Sequence, residues 1–126
     1  MPKVLIVDDE LGMRTLIEQT LEPLEDKGVV LQQTGSGKEA LEIINAEKPD
    51  LVLLDVMMPE MNGFDVCNTV KNILGMRDIY ILMLTGKRQE IDKQRGKDVG
   101  ADCYMTKPFA LDDLFEKVAN VLGIEM

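Results

Sequence analysis

The chain has 126 residues, enough for one domain with a real core and too few for two ordinary ones. Hydrophobic residues make up 45% and charged residues 29%, a globular composition, and no apolar run approaches the length of a membrane span. Fourteen basic residues against 23 acidic ones leave a net charge of -9, which disfavours contact with nucleic-acid phosphates, and the absence of histidine removes histidine metal sites, triads and imidazole acid–base chemistry.

The first strand is read over Lys3–Val7, a short β-branched and apolar run that ends on Asp8-Asp9-Glu10. With no signal-peptide pattern before it, and with Cys67 and Cys103 in no metal or redox spacing, the expectation is a cytoplasmic protein with reduced, packed thiols. Met13, Leu16, Ile17, Leu21 and Leu24 follow at the spacing of one helix face, and Gly28 is the expected stop in the left-handed conformation. Residues 29–34 read as strand two. Ser36 or Gly37 leads into a second helix with Ala40, Leu41 and Ile44 facing in, ended by Lys48-Pro49.

Leu51 to Leu54 is a continuous apolar run without the alternation of a half-exposed strand, as expected of a parallel strand buried on both faces. It ends on Asp55, and Pro59 blocks further pairing. Glu60-Met61-Asn62-Gly63 is turn chemistry, with Asn-Gly able to tolerate positive φ. A third helix is expected over residues 64–74 with Val66, Val70, Ile73 and Leu74 facing in, then a fourth strand over residues 78–84, ending at Thr85-Gly86. Residues 87–99 have helical spacing but few apolar anchors, and Gly96 inside them costs about 1 kcal/mol relative to alanine. Cys103–Thr106 is the fifth strand, Lys107-Pro108-Phe109 follows, and Leu111, Leu114, Phe115, Val118, Val121 and Leu122 pattern a last helix. Strands alternate with helices five times, so the expected class is α/β, with five parallel strands joined by right-handed crossovers, and residues 1–126 read as one unit.

Polar residues stand at the carboxyl ends of four strands: Asp8 and Asp9, Asp55, Thr85 and Lys107. In a parallel sheet those ends share one edge, where open α/β folds bind their ligands. Three carboxylates gathered there raise one another's proton affinity or recruit a cation, and Mg²⁺ suits one or two carboxylates plus waters. A lysine supplies a point charge for a phosphoryl oxygen. Carboxylate nucleophile, divalent ion and lysine are the parts for phosphoryl transfer onto an aspartate. Each also has a plainer use: Asp8-Asp9-Glu10 as a helix cap, Thr85 as a strand residue, Tyr104 as strand packing, Lys107 as a solvated loop lysine.

The chain resembles the receiver domain of bacterial two-component response regulators. The resemblance rests on Val4-Leu5-Ile6-Val7-Asp8-Asp9-Glu10, on Leu54-Asp55-Val56-Met57-Met58-Pro59-Glu60-Met61-Asn62-Gly63, on Leu84-Thr85-Gly86, and on Gly100-Ala101-Asp102-Cys103-Tyr104-Met105-Thr106-Lys107-Pro108-Phe109. It implies a flavodoxin-like (βα)5 fold with strand order 2-1-3-4-5. It further implies that Asp55 accepts a phosphoryl group from a sensor histidine kinase or a histidine phosphotransfer protein. Asp9, Asp55 and the backbone carbonyl of Met57 would bind Mg²⁺, with Asp8 acting through a water. Lys107 would pair with the phosphoryl group, across an expected cis bond to Pro108. Thr85 and Tyr104 would be the switch residues, altering the surface of helix 4, strand 5 and helix 5 toward an output protein, a fused effector domain or a phosphorylation-dependent homodimer. No membrane contact is expected.

Departures from the family pattern carry expectations of their own. Gly86 stands where alanine is usual and should loosen Thr85; Asn62 stands where aspartate is common. Met57 and Lys87 stand two residues after Asp55 and Thr85, positions that the resemblance implies tune dephosphorylation. Lys87, Arg88, Lys93, Arg95 and Lys97 place five of fourteen basic residues in the weak fourth helix, suiting it to a mobile switch surface and to an acidic partner or a like domain. The leading function is therefore a signalling module that catalyses only its own phosphorylation and dephosphorylation. The main rival, a Mg²⁺-dependent phosphatase with an aspartate nucleophile, would want a second acid where Met57 stands. A flavodoxin-like electron carrier would want a phosphate-cradling loop where the acids follow strand one.

Overall fold

A computed structural model describes residues 1–86 and 89–125, with backbone alone for 89–93. Five strands, β1 (Lys3–Val7), β2 (Val30–Thr34), β3 (Leu51–Asp55), β4 (Tyr80–Thr85) and β5 (Cys103–Thr106), form one parallel sheet in the order β2-β1-β3-β4-β5. Five helices connect and cover them: α1 (Leu11–Leu21), α2 (Gly37–Glu47), α3 (Gly63–Asn68), α4 (Gln89–Asp98) and α5 (Leu111–Leu122). Among the described residues no helix is long and apolar enough to cross a membrane.

The apolar runs split cleanly between the two faces of the sheet, because successive strand residues point to opposite sides. Leu5, Val52, Leu54, Ile81 and Met83 face α2 and α3, meeting Ala40, Ile44, Val66 and Val70. Val4, Ile6, Leu51, Leu53, Leu82 and Leu84 face α1 and α5, meeting Ile17, Leu21, Leu114 and Val118. All five residues of β3 are buried, as expected of a central strand covered on both sides.

Local signals act as expected at several junctions. Ser36 caps α2, its hydroxyl accepting from the Glu39 N–H at 3.1 Å. Gly28 takes φ 89° after the short 3-10 turn Glu22–Lys27, which carries the chain from α1 into β2. Leu16, expected on the inner stripe of α1, is instead 40% exposed. It sits at the flank of that stripe, and Ile17 and Leu21 fill the contact with the sheet.

The third helix departs most. After Asn68 it widens into a π-helical turn over Thr69–Ile73, with Leu74 N–H donating to Thr69 O at 2.8 Å. A wider turn delays each side chain's return to the inner face. Ile73 and Leu74, expected inside, are 69% and 43% exposed, while Lys71 is buried at 3% exposure. In the turn before α3, positive φ falls at Glu60 (φ 64°), whereas Asn62 is extended and caps the helix in a reciprocal capping box with Asp65. Gly63 is needed for space: a Cβ there would lie 2.5 Å from the Asp55 carbonyl oxygen.

Gly96 turns out to be a packing residue rather than a simple weakness in α4. A Cβ there would meet Met83 Sδ at 3.3 Å and the Tyr104 ring at 3.4 Å. Its absence lets α4 settle close to β4 and β5. Lys87 and Arg88 lie outside the described residues, as does the side chain of Lys93, so of the basic cluster only Arg95 and Lys97 are seen. Arg95 lies 4.3 Å over the Phe64 ring, joining α4 to the start of α3.

Candidate functional site

Parallel pairing brings the ends of β1, β3, β4 and β5 to one edge of the sheet. Register sets Val7 beside Leu54, Asp55 beside Leu84, and Thr85 beside Thr106. Asp8, one residue beyond β1, is fully buried. Its Oδ1 accepts from the Glu10 N–H at 2.9 Å, so the carboxylate braces its own loop. Glu10, not Asp8 or Asp9, is the N-cap of α1, and it makes no side-chain capping bond. The acidic run is therefore not spent as a helix cap.

Asp55, the last residue of β3, is 4% exposed, and Asp9 is exposed beside it. One carboxylate oxygen from each of Asp8, Asp9 and Asp55 lies within 4.8 Å of the others. Lys107 reaches this group from the loop after β5, its Nζ 3.0 Å from Asp55 Oδ1 and 3.3 Å from Asp8 Oδ2. Its own N–H donates to the Thr85 carbonyl at 2.7 Å, and its bond to Pro108 is cis, as expected.

Burial pushes the Asp55 carboxyl up to about 6; the hydrogen bond from Lys107 opposes this, and the charges of Asp8 and Asp9 add to it. For Lys107 burial favours the neutral amine, but its bonds to Asp55 and Asp8 and their charges outweigh burial and hold it above the ordinary lysine value. The lysine therefore remains a cation, and Asp55 is a carboxylate held ionised at neutral pH against a desolvated setting.

The remaining expected residues are placed as follows. Thr85 is fully buried, and its hydroxyl points to the Met105 carbonyl at 3.5 Å rather than to Asp55. Tyr104 is half-buried and packs on Gly96. The side chain of Met57 is 73% exposed beside the acidic cluster. Lys87 lies outside the described residues, so its reach toward Asp55 is not part of this geometry.

Residues 4–119 match the family model of the response regulator receiver domain. The chain belongs to that family.

As a receiver it has many relatives. It is 42% identical over 120 residues to the alkaline phosphatase synthesis transcriptional regulatory protein PhoP of Bacillus subtilis, covering 95% of this chain and 48% of that protein. It is 35% identical to the response regulator MprA of Mycolicibacterium vanbaalenii, covering 95% of this chain and 50% of that one. The receiver thus spans about half the length of the curated relatives it matches. Among solved structures it is similar to the chemotaxis protein CheY4 of Vibrio cholerae, with TM-score 0.83, 35% identity, and 96% and 98% of the two chains covered. The receiver domain of Francisella response regulator 1452 superposes with TM-score 0.85 at 28% identity, covering 98% of each chain.

Two contacts at the receiver's site go beyond the sequence pattern, which read Gly63 only as a turn residue and did not single out Arg14. Gly63 presses against the Asp55 carbonyl, and Arg14 of α1 donates from Nη1 to the Asp8 carbonyl at 2.7 Å. The only sequence sign of Arg14 is a cation between Met13 and Leu16, on the flank of an apolar stripe.

The donor set suits a hard divalent ion. Three carboxylates offer only oxygen, and one oxygen from each lies within 4.8 Å of the others, close enough to gather around one small ion and its waters. Lys107 bridges Asp8 and Asp55, so these two carboxylates are already drawn together.

Proposed function

We propose that this receiver is a phosphorylation-switched signalling module whose phosphoacceptor is Asp55. The observation that carries the reading is the Lys107–Asp55 contact at 3.0 Å beside two further carboxylates. Asp55 Oδ attacks the phosphorus of a phosphohistidine on a sensor histidine kinase or phosphotransfer protein. The P–N bond breaks, and its electron pair leaves with the imidazole. Lys107 stays charged through the transfer and meets the incoming phosphoryl oxygens, exchanging one partner on Asp55 for another.

Asp9, Asp55 and the Met57 carbonyl would hold magnesium, with Asp8 acting through a water, and the bound ion would offset the roughly two negative charges a phosphoryl group adds. Thr85 turns its hydroxyl from the Met105 carbonyl toward the phosphoryl group. Tyr104, half-buried against Gly96 here, follows by turning further inward, and the surface of α4, β5 and α5 changes for an output protein, an attached effector domain or a second receiver. Apart from its own phosphorylation and dephosphorylation the domain turns over nothing, and its setting is the cytoplasm.

The phosphatase reading has less support. No acid follows Asp55 at two residues, and Met57 there is exposed and apolar. Incubation with Mg²⁺ and acetyl phosphate tests the proposal by intact mass. One phosphoryl adduct on the wild type, absent from Asp55→Asn and from magnesium-free samples, is expected. An adduct that persists in Asp55→Asn overturns the assignment.

A further inference from the structure

Asp9 is exposed, so its carboxylate is aimed chiefly by the backbone that carries it. That backbone is gripped from one side by Arg14. The guanidinium Nη1 donates to the Asp8 carbonyl at 2.7 Å, and Nε donates to Gln33 Oε1 at 3.0 Å. Gln33 in turn donates from Nε2 to Glu18 Oε2. The fork thus ties α1 and β2 to the peptide between Asp8 and Asp9. A peptide unit is rigid and planar, so holding its oxygen also sets where the Cα of Asp9 lies.

Gly35, in the turn after β2, makes room for this fork. A Cβ at Gly35 would lie 2.7 Å from Arg14 Nη1. Its φ is outside the left-handed region, so the missing side chain serves space rather than backbone conformation. The atom it would strike is the free end of a flexible side chain, which moves away at little cost.

We infer that Arg14 is a positioning residue for magnesium, holding the Asp8–Asp9 peptide so that the Asp9 carboxylate meets the ion, with Gly35 keeping its seat open. The inference rests on the magnesium reading above. Partners that orient metal ligands from behind typically contribute about tenfold or more to affinity. Arg14→Gln removes the fork and its charge. Gly35→Ala keeps the charge and displaces the fork. Both lose the same contact by different routes.

The test is a MgCl₂ titration of the full chain, followed through the amide resonances of Asp9 and Asp55. Each single variant is expected to weaken magnesium binding about tenfold. The double variant is expected to match Arg14→Gln alone, since alanine then has no guanidinium to displace. Arg14→Lys, which retains charge and a donor, is expected to recover part of the loss. With acetyl phosphate as donor, the half-saturating magnesium concentration should rise far more than the rate at saturating magnesium falls. Affinity within twofold of wild type in either single variant overturns the inference, as do fully additive losses in the double variant. If the wild type itself takes up no magnesium, the reading of the site fails and this inference with it.

Discussion

Lys71 and Asp102 meet at 2.8 Å at the amino end of β5, on the opposite edge of the sheet from Asp55. Lys71 is all but buried, and Nζ also donates to the Arg77 carbonyl at 2.9 Å. Asp102 Oδ2 accepts the Ile81 N–H at 2.8 Å, so one carboxylate ties α3 and the loop after α4 to β4. Asp102→Ala leaves a buried ammonium unpaired and an N–H without its acceptor. It should cost about 3 kcal/mol, the low end for such breaks because Asp102 is itself a third exposed. Lys71→Met, which removes the charge and keeps the bulk, should cost clearly less. Urea midpoints of the two variants check the order, and equal losses would contradict it.

Gly63 offers a direct test of how tightly the Asp55 loop is packed. An added Cβ would meet backbone, the Asp55 carbonyl at 2.5 Å and Val56 Cα at 3.0 Å, and backbone cannot rotate away. Gly63→Ala should lose about 2 kcal/mol of stability. Because it pushes on Asp55 itself, phosphoryl uptake should fall as well. Unfolding curves and intact-mass time courses on the same sample measure both, and a stable variant with normal uptake would show that the loop yields.

The raised Asp55 carboxyl makes the metal-free protein sensitive to pH. With its folded pKa near 6, above the unfolded value, the folded state keeps a proton that the unfolded state has released. Stability from this group is therefore present at low pH and is lost as pH rises through about 6. Asp55→Asn, free of that ionisation, should gain on the wild type across the same window. The gain should reach on the order of 1–2 kcal/mol above neutrality. Denaturant titrations without divalent metal at several pH values check it. A gap that stays constant with pH would be the contrary result.

The two thiols should differ in reactivity. Burial pushes Cys67 up to about 12, partly offset by the charge of Lys71, and its Sγ lies 3.5 Å from the Val99 carbonyl. Cys103 is half-buried on β5. A maleimide reagent should modify Cys103 in the native protein and reach Cys67 only after unfolding. Peptide mapping after timed labelling reads this out, and equal native rates would disprove the difference.

The strands, their parallel pairing and the gathering of polar residues at their ends are legible in the sequence, because the apolar runs before Asp8, Asp55 and Thr85 leave little freedom in how the edge is built. Short-range patterns also set the Ser36 cap and the left-handed stop at Gly28. Tertiary packing decided the rest. Ile73 and Leu74 have helical spacing, yet a π turn that lets Lys71 reach Asp102 swings them to solvent. Gly63 reads as a turn residue and Gly96 as a weak point, but both, like Gly35, are set by an atom that packing brings against them from another element. Arg14 carries no signal of its role, since its partner is a backbone carbonyl, which every residue has. Periodicity reports which side of an element is apolar; which atoms meet across elements depends on how closely they approach, and that is a property of the folded chain.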